Sequence, residues 1–334
     1  MRIFLTGHTG FKGAWFTLCQ QLIGNEIFGY SLNPIGGGIF HSARLNEIIT
    51  SDIRGDIRDY KELSDAISHS MPDVVVHMAA QPLVIDSHKN PYETFETNVQ
   101  GTLNVLDAAR KVDSIKLVAI VTTDKVYKQN KRLRFSETDE IGSSDPYSTS
   151  KAMADLLSQS WAKNYSEVPI LILRAGNVIG GGDVSPNRLI PDIMKAGKAN
   201  LVPTIRYPNA VRPWQHVLDC LRGYQLAIDW GLANKIGGVF NFGPHSQNNN
   251  TVREIASEFI KIMDYKQWES LDSPFEESDY LQLDSTKAKQ ILGWQTTLSI
   301  NKALNLTGLW YQAQGRGEDM FEYSIKQIRN TIDL

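Results

Sequence analysis

Short apolar runs alternate with amphipathic stretches along the first half of the chain. "RIFLT" (2–6), "EIFGYSL" (26–32), "DVVVHMA" (73–79), "KLVAIVT" (116–122) and "PILILRA" (169–175) are apolar and several are β-branched. Runs of this kind become strands buried on both faces of a parallel sheet. Between them apolar positions recur at helical spacing, Phe11, Trp15, Leu18 and Leu22 in one segment and Val99, Leu103 and Leu106 in another. The alternation predicts an α/β fold with a doubly wound parallel sheet. After about residue 178 the pattern loosens into turns rich in Gly, Pro and Asn. A helix-like "VLDCLRGYQLAIDW" (217–230) and a strand-like "GGVFNFG" (237–243) follow, then helical segments near 251–263 and 299–314. The expected organisation is a main domain over 1–178, to which 217–243 returns, and a smaller C-terminal lobe built from 179–216 and 244–334.

At 334 residues and 42% hydrophobic composition the chain can bury a substantial core. The formal net charge of −3, with Lys and Arg scattered, weighs against a general nucleic-acid binder. Cys19 and Cys220 each fall in a helix-like apolar segment without metal-ligand spacing, so buried thiols are expected and no metal site. That fits a reducing cytoplasm. The N-terminus runs directly into a strand and no stretch of about 18 apolar residues occurs, so neither a signal peptide nor a membrane span is expected.

The first chemical motif is "TGHTGFKGAW", with Gly7, Gly10 and Gly13 placed after a strand and at the opening of a helix. Glycines there permit a tight turn and let backbone approach a pyrophosphate, which sits on the free N–H groups of the helix start. A Rossmann-type dinucleotide site is the expectation. Tyr147 and Lys151 are four apart on a helix and share a face. The ammonium of Lys151 can therefore lower the Tyr147 phenol from its ordinary value of about 10, so that Tyr147 takes a proton from a substrate hydroxyl while hydride leaves the same carbon for a nicotinamide. Thr123 would position that hydroxyl. Directly after it stands Asp124-Lys125, an acid and a base at the C-terminal end of a central strand, where ligands of such sheets bind.

The G-x-x-G-x-x-G turn, "GDIRD" (55–59), "HMAAQP" (77–82), Thr123 and the Tyr147-x-x-x-Lys151 pair occur in an order that resembles the extended short-chain dehydrogenase/reductase superfamily. The resemblance implies NAD as cofactor, held by Gly7, Thr9, Gly10, Phe11, Lys12 and Gly13 in the turn, by Asp56 and Ile57 at the adenine, and by Ala79, Ala80, Gln81, Thr122, Tyr147 and Lys151. An acid about 20 residues past the glycines normally binds the ribose 2′-hydroxyl of NAD, yet residues 27–46 contain no Asp or Glu. Asn33 is the nearest stand-in, and no Arg follows the second strand until Arg44. NAD rather than NADP is expected, loosely held.

The pair after the Thr resembles the sugar-nucleotide 4,6-dehydratases of that superfamily. In them C4 is oxidised, a base removes the acidified C5 proton, an acid protonates the departing C6 hydroxyl, and the hydride returns to C6. The members acting on dTDP-glucose carry Asp-Glu at this place. Asp124-Lys125 is similar instead to the members acting on CDP-glucose, and to some acting on UDP-N-acetylglucosamine, which have Met where this chain has Tyr147. "GHTGFKGAW", "TTDKVY", "RAGNVIGGGD" (174–183), "RLIPDI" (188–193) and "RPWQHVLD" (212–219) extend the CDP-glucose likeness over nearly the full length, with Val184 where a tryptophan usually follows "GGGD".

The likeness implies an NAD-dependent lyase of deoxysugar biosynthesis acting on a nucleotide sugar, CDP-glucose. Thr123, Asp124, Lys125, Tyr147 and Lys151 would be catalytic. Gln81, Asn177 and Arg188 would line the sugar-nucleotide site, and Arg212 would reach the diphosphate, a role suited to a planar donor fork. Two other readings stay open. An epimerase or simple dehydrogenase of another nucleotide sugar would use Tyr147 and Lys151 and leave Asp124 and Lys125 idle. A dinucleotide-sensing protein without activity is the non-enzyme reading, against which the intact Thr, Tyr and Lys stand. Two helical segments, within 90–109 and around Tyr147, are expected to pair across a homodimer interface.

Overall fold

Seven strands lie in one sheet, every neighbouring pair parallel. They are β1 (Arg2–Thr6), β2 (Glu26–Ser31), β3 (Ser51–Arg54), β4 (Val74–His77), β5 (Leu117–Val121), β6 (Ile170–Ala175) and β7 (Gly238–Phe242). Their order across the sheet is β3-β2-β1-β4-β5-β6-β7. The computed structural model describes residues 1–129, 134–165, 167–244, 250–272 and 279–333.

Side chains alternate across the pleat, which is why the strands read as unbroken apolar runs. Ile3 and Leu5 of β1, Val74 and Val76 of β4, and Leu171 and Leu173 of β6 enter one core. Phe4, Val75, Ile170 and Ile172 enter the core on the opposite face. The helices α1 (Phe11–Leu22) and, later in the chain, Val217–Asn234 cover the first face, with Trp15, Leu18, Leu218 and Leu221 packed into it. On the second face lie α2 (Tyr60–Ser70), whose N-cap Asp59 accepts from Glu62 N at 3.0 Å, and α3 (Gly101–Ala109). The helix carrying Tyr147, α4 (Pro146–Asn164), starts at Asp145, which accepts from Ser148 N at 2.9 Å, with Pro146 at its first position.

Beyond β6 the chain leaves the sheet for α5 (Leu189–Lys198), returns through α6 (Val217–Asn234) to β7 beside β6, and leaves again for α7 (Val252–Met263), α8 (Ile300–Gly315) and α9 (Met320–Arg329). Trp294 and Trp310, both fully buried, join these last helices to the same core as Ile3 and Trp15. Among the described residues no helix is long and apolar enough to cross a membrane. Cys19 and Cys220 are free and buried, and burial pushes the Cys19 thiol up to about 12.

Strand β3 and helices α2, α5 and α9 have no counterpart in the sequence reading. In β3 only Ile53 is apolar and all four residues are half-buried at the sheet edge, so its hydrophobic signal is faint.

Between β5, β6, β7 and α4 sits a buried polar knot. Arg174 of β6 and Asp155 of α4, both without exposed side-chain surface, form a two-pronged ion pair at 2.8 and 2.7 Å. Thr122 Oγ1 donates to the same carboxylate at 2.9 Å, and Arg174 donates to the Tyr127 hydroxyl at 2.7 Å. Removing one partner of such a pair leaves an uncompensated buried charge and costs about 3–5 kcal/mol. Arg174→Met is therefore expected to lower the unfolding free energy in urea by about that amount, and Arg174→Met combined with Asp155→Leu to recover part of it; a single variant within about 1 kcal/mol of the parent would show that water reaches the site.

Candidate active site

The loops after β1, β4, β5 and β6 meet the first turn of α4 around a cavity of about 350 Å³. The cavity lies at the C-terminal edge of the sheet, beside the point between β1 and β4 where the strand order reverses. Phe11, Lys12, Ala80, Thr122, Thr123, Asp124, Lys125, Tyr147 and Lys151 line one end of it.

The glycine turn has the shape a dinucleotide needs. Gly7 has φ +79°, and a Cβ there would lie 2.6 Å from Ala79 N, so the turn and the β4 loop touch backbone to backbone. A Cβ on Gly13 would strike Gly7 O at 2.2 Å. A Cβ on Gly10 would meet nothing closer than 3.4 Å, so packing within the protein does not demand glycine there. The start of α1 has no side-chain cap and no acid in its first turn, which leaves its N–H groups open to an anion. The residues thus fit the pyrophosphate of NAD.

Elsewhere in that half, Thr9 Oγ1 pairs with Ser31 Oγ at 2.7 Å and Asn33 is exposed just past β2. Asp56 is paired with Arg58 at 2.6 Å, and Ile57 is buried against Gly101, its carbonyl accepting from Asn104 at 2.9 Å. Arg44 points elsewhere and pairs with Asp319 at 2.7 Å. Strand β3 brings up two groups that the linear sequence hides. Arg54 reaches Leu32 O at 3.4 Å beside Asn33 while paired with Asp52 at 2.6 Å, and the fully buried His8 meets that same Asp52 at 2.7 Å. A search for an Arg directly after β2 cannot find one supplied by the neighbouring strand.

At the reacting end, Thr123 opens a short turn, accepts from Lys125 N at 3.4 Å and donates to Asp124 Oδ1 at 2.9 Å. Asp124 is buried, and its Oδ2 has no hydrogen-bond partner among the described residues. Burial raises the Asp124 pKa above the ordinary carboxylate value, opposed by the charge of Lys125, the Thr123 hydroxyl and Arg212. Lys125 is half-buried on the cavity wall. Tyr147 is fixed by its backbone N–H, which donates to Ser87 Oγ at 3.1 Å.

One expectation needs correcting here. Burial pushes the Tyr147 phenol up to about 12, opposed by a hydrogen bond with Thr123 and reinforced by the Asp124 charge. Lys151 Nζ donates to Val121 O at 2.9 Å, and burial together with the charge of Lys12 draws its ammonium down to about 8. Desolvation outweighs the pairing that helical spacing suggested.

Arg188, Asn177 and Arg212 all line the cavity. Arg188 is tied to Asp183 at 3.0 Å, and Arg212 is buried with Nη1 donating to Val211 O at 2.9 Å. Gln81 is not among the lining residues, because its side-chain amide is spent on Thr94 Oγ1 at 2.8 Å and Leu83 O at 3.1 Å. Thr122 turns its hydroxyl away to Asp155. The wall beyond Arg188 is completed by Leu189 and Pro191 of the "RLIPDI" stretch and by the segment Thr204–Tyr207, which carries no sequence motif.

A family model described as "NAD dependent epimerase/dehydratase family" matches residues 3–243. The chain is 39% identical to the CDP-glucose 4,6-dehydratase of Salmonella typhimurium, over 98% of this chain and 95% of that one. It is 27% identical to the dTDP-glucose 4,6-dehydratase of Shigella flexneri, over 94% and 93%. Among solved structures, the dTDP-glucose 4,6-dehydratase DesIV of Streptomyces venezuelae, with NAD and TYD bound, superposes with a TM-score of 0.81 at 25% identity, covering 96% of this chain and all of that one. The UDP-glucose-4-epimerase of Stenotrophomonas maltophila shares the fold, with a TM-score of 0.83 at 21% identity over 95% and 99%. With the matched region spanning every strand of the sheet, the chain belongs to the NAD dependent epimerase/dehydratase family.

Proposed function

We propose that this chain is an NAD-dependent lyase that converts CDP-glucose to CDP-4-dehydro-6-deoxyglucose and water in deoxysugar biosynthesis. The observation that carries the reading is Asp124: a buried carboxyl beside Thr123, with a raised pKa and an unpartnered Oδ2, in the same cavity as Tyr147 and Lys151. Such a group stays protonated where an ordinary carboxyl ionises, and so can donate to a leaving hydroxyl. Oxidation or epimerisation at C4 has no use for it. The 39% identical relative bears the name of the same activity.

NAD is the cofactor; held at the turn of Gly7, Gly10 and Gly13, it would supply the acceptor for the C4 hydride and the donor for its return to C6. The chain's own groups then have separate tasks. Tyr147, hydrogen-bonded with Thr123 and with its rise opposed by the Arg188 charge, takes the C4 hydroxyl proton; Lys151, held on Val121 O on the same cavity wall, assists it. Once C4 is a ketone the C5 proton is acidic, and Lys125 on the cavity wall takes it or orients the sugar for its loss. Asp124 protonates the C6 hydroxyl as it departs. Arg188 and Arg212, which line the same cavity, would offer donor forks to the nucleotide diphosphate.

The same proposal places the nucleotide sugar between a Rossmann domain (1–178, with 217–243) and a lobe made of 179–216 and 244–334, in a homodimer working in the cytoplasm. Tyr92, Met153 and Leu156 are exposed apolar groups on the helices expected to pair, and the buried free thiols suit a reducing compartment.

Two outcomes test this. Incubated with NAD and each of CDP-, dTDP-, UDP- and GDP-glucose, the purified protein is expected to give a product one water lighter by mass spectrometry, fastest with CDP-glucose; an isomer of unchanged mass would establish an epimerase instead. For the elimination groups, Asp124→Asn is expected to let NADH absorbance rise in a single turnover while slowing water loss about 10²–10⁴-fold. The sign of the pH effect follows from the raised pKa: the acid is competent below it, so water loss falls as pH rises through it, and this dependence disappears in Asp124→Asn. Lys125→Met that still exchanges the C5 proton with D2O at the parent rate would remove Lys125 from the base role.

A further inference from the structure

Phe11 and Lys12 are the residues of the glycine turn that line the cavity, and Lys12 brings a charge with it. Its Nζ donates to Tyr224 Oη at 3.3 Å and lies 5.6 Å from that ring's centroid, and Tyr224 is fully buried on α6. The ammonium is thus propped from beneath by a rigid aromatic group. The charged and titratable groups facing it are Asp124, Arg188, Lys151 and the Cys220 thiol. Burial draws Lys12 down from the ordinary lysine range, reinforced by the Arg188 charge and opposed by Cys220 and Asp124. After burial, the Lys12 charge is the next largest influence lowering Lys151, which places Lys12 within electrostatic reach of the reacting end.

Hydride leaves the sugar carbon whose hydroxyl Tyr147 holds, so the accepting ring must stand in this cavity in contact with that carbon. The ring of NAD+ is a cation, and it becomes neutral when the hydride arrives. The C4 alcohol is oxidised to a ketone, NAD+ is reduced to NADH, and the alcohol proton goes to Tyr147. A fixed cation nearby disfavours the oxidised ring and leaves the neutral one almost untouched.

We propose that Lys12 sets the redox preference of the bound cofactor, weakening NAD+ relative to NADH. Oxidation of C4 is thereby favoured, and the reduced cofactor is retained until its hydride returns to C6. The second clause rests on the dehydratase reading; the first does not. An ammonium that merely contacted the pyrophosphate would strengthen both forms equally, because that group is the same in both.

The test is a fluorescence titration of the purified full chain with NAD+ and with NADH, in the absence of any sugar nucleotide. The parent protein is expected to hold NADH about tenfold more tightly than NAD+. Lys12→Met and Lys12→Gln are expected to tighten NAD+ and bring the ratio toward one with NADH unchanged, and Lys12→Arg to keep the parent ratio. Thermal melting identifies which neutral variant is folded and usable. Equal weakening of both forms, or an unchanged ratio, would overturn the proposal while leaving the dehydratase reading to the product analysis with CDP-glucose.

Discussion

The ion pair between Arg174 and Asp155 is the contact on which the site depends. Both side chains are fully buried, and between them they join β6 to the helix that carries Tyr147 and Lys151. Thr122 donates to Asp155 and Tyr127 accepts from Arg174, so the segment bearing Thr123, Asp124 and Lys125 is pinned at both ends by one charge pair. Asn241 of β7 completes the knot by accepting from the Tyr127 hydroxyl at 2.7 Å. A buried pair of this kind adds little net stability over an apolar core. Its value is geometric. It fixes Tyr147 and Lys151 on α4 and Thr123, Asp124 and Lys125 after β5 relative to each other, which two independent surface loops could not do.

The same burial decides the chemistry. Asp124 and Tyr147 are both raised and Lys151 is lowered, each chiefly by loss of water. Desolvation thus shifts Asp124 toward its protonated form and draws Lys151 and Lys12 nearer to exchange of a proton. It also makes the phenol reluctant to ionise, so Tyr147 needs positive charge in the cavity before it works as a base. The Arg188 charge already opposes the rise at Tyr147, whereas Lys12 acts on Lys151.

Sequence carried the framework because its signals are local. Alternating apolar residues 2–6, 73–79, 116–122 and 169–175 mark strands that pack on both faces, and glycines at 7, 10 and 13 mark a turn with no room for a side chain at two of them. What stayed hidden depends on neighbours brought together by the sheet. Strand β3 is short, polar and at an edge, so Arg54 and the His8–Asp52 contact could not be foreseen from positions near the glycines. Gln81 has the right place in its motif, but Thr94 and Leu83 satisfy its amide within the loop. Spacing placed Tyr147 and Lys151 on one face and was silent on how completely water is excluded there. Tyr224 prepares Lys12 from more than two hundred residues away, with no motif to announce it.

If one cavity performs both the oxidation and the elimination, hydride has to leave C4 and return to C6 of the same molecule. CDP-glucose carrying deuterium at C4, turned over in ordinary water, tests this directly by NMR and mass spectrometry of the product. The deuterium is expected in the C6 methyl group, with none in solvent. Deuterium retained at C4, or lost to solvent or to free NADH, would contradict an internal hydride return and with it the dehydratase mechanism.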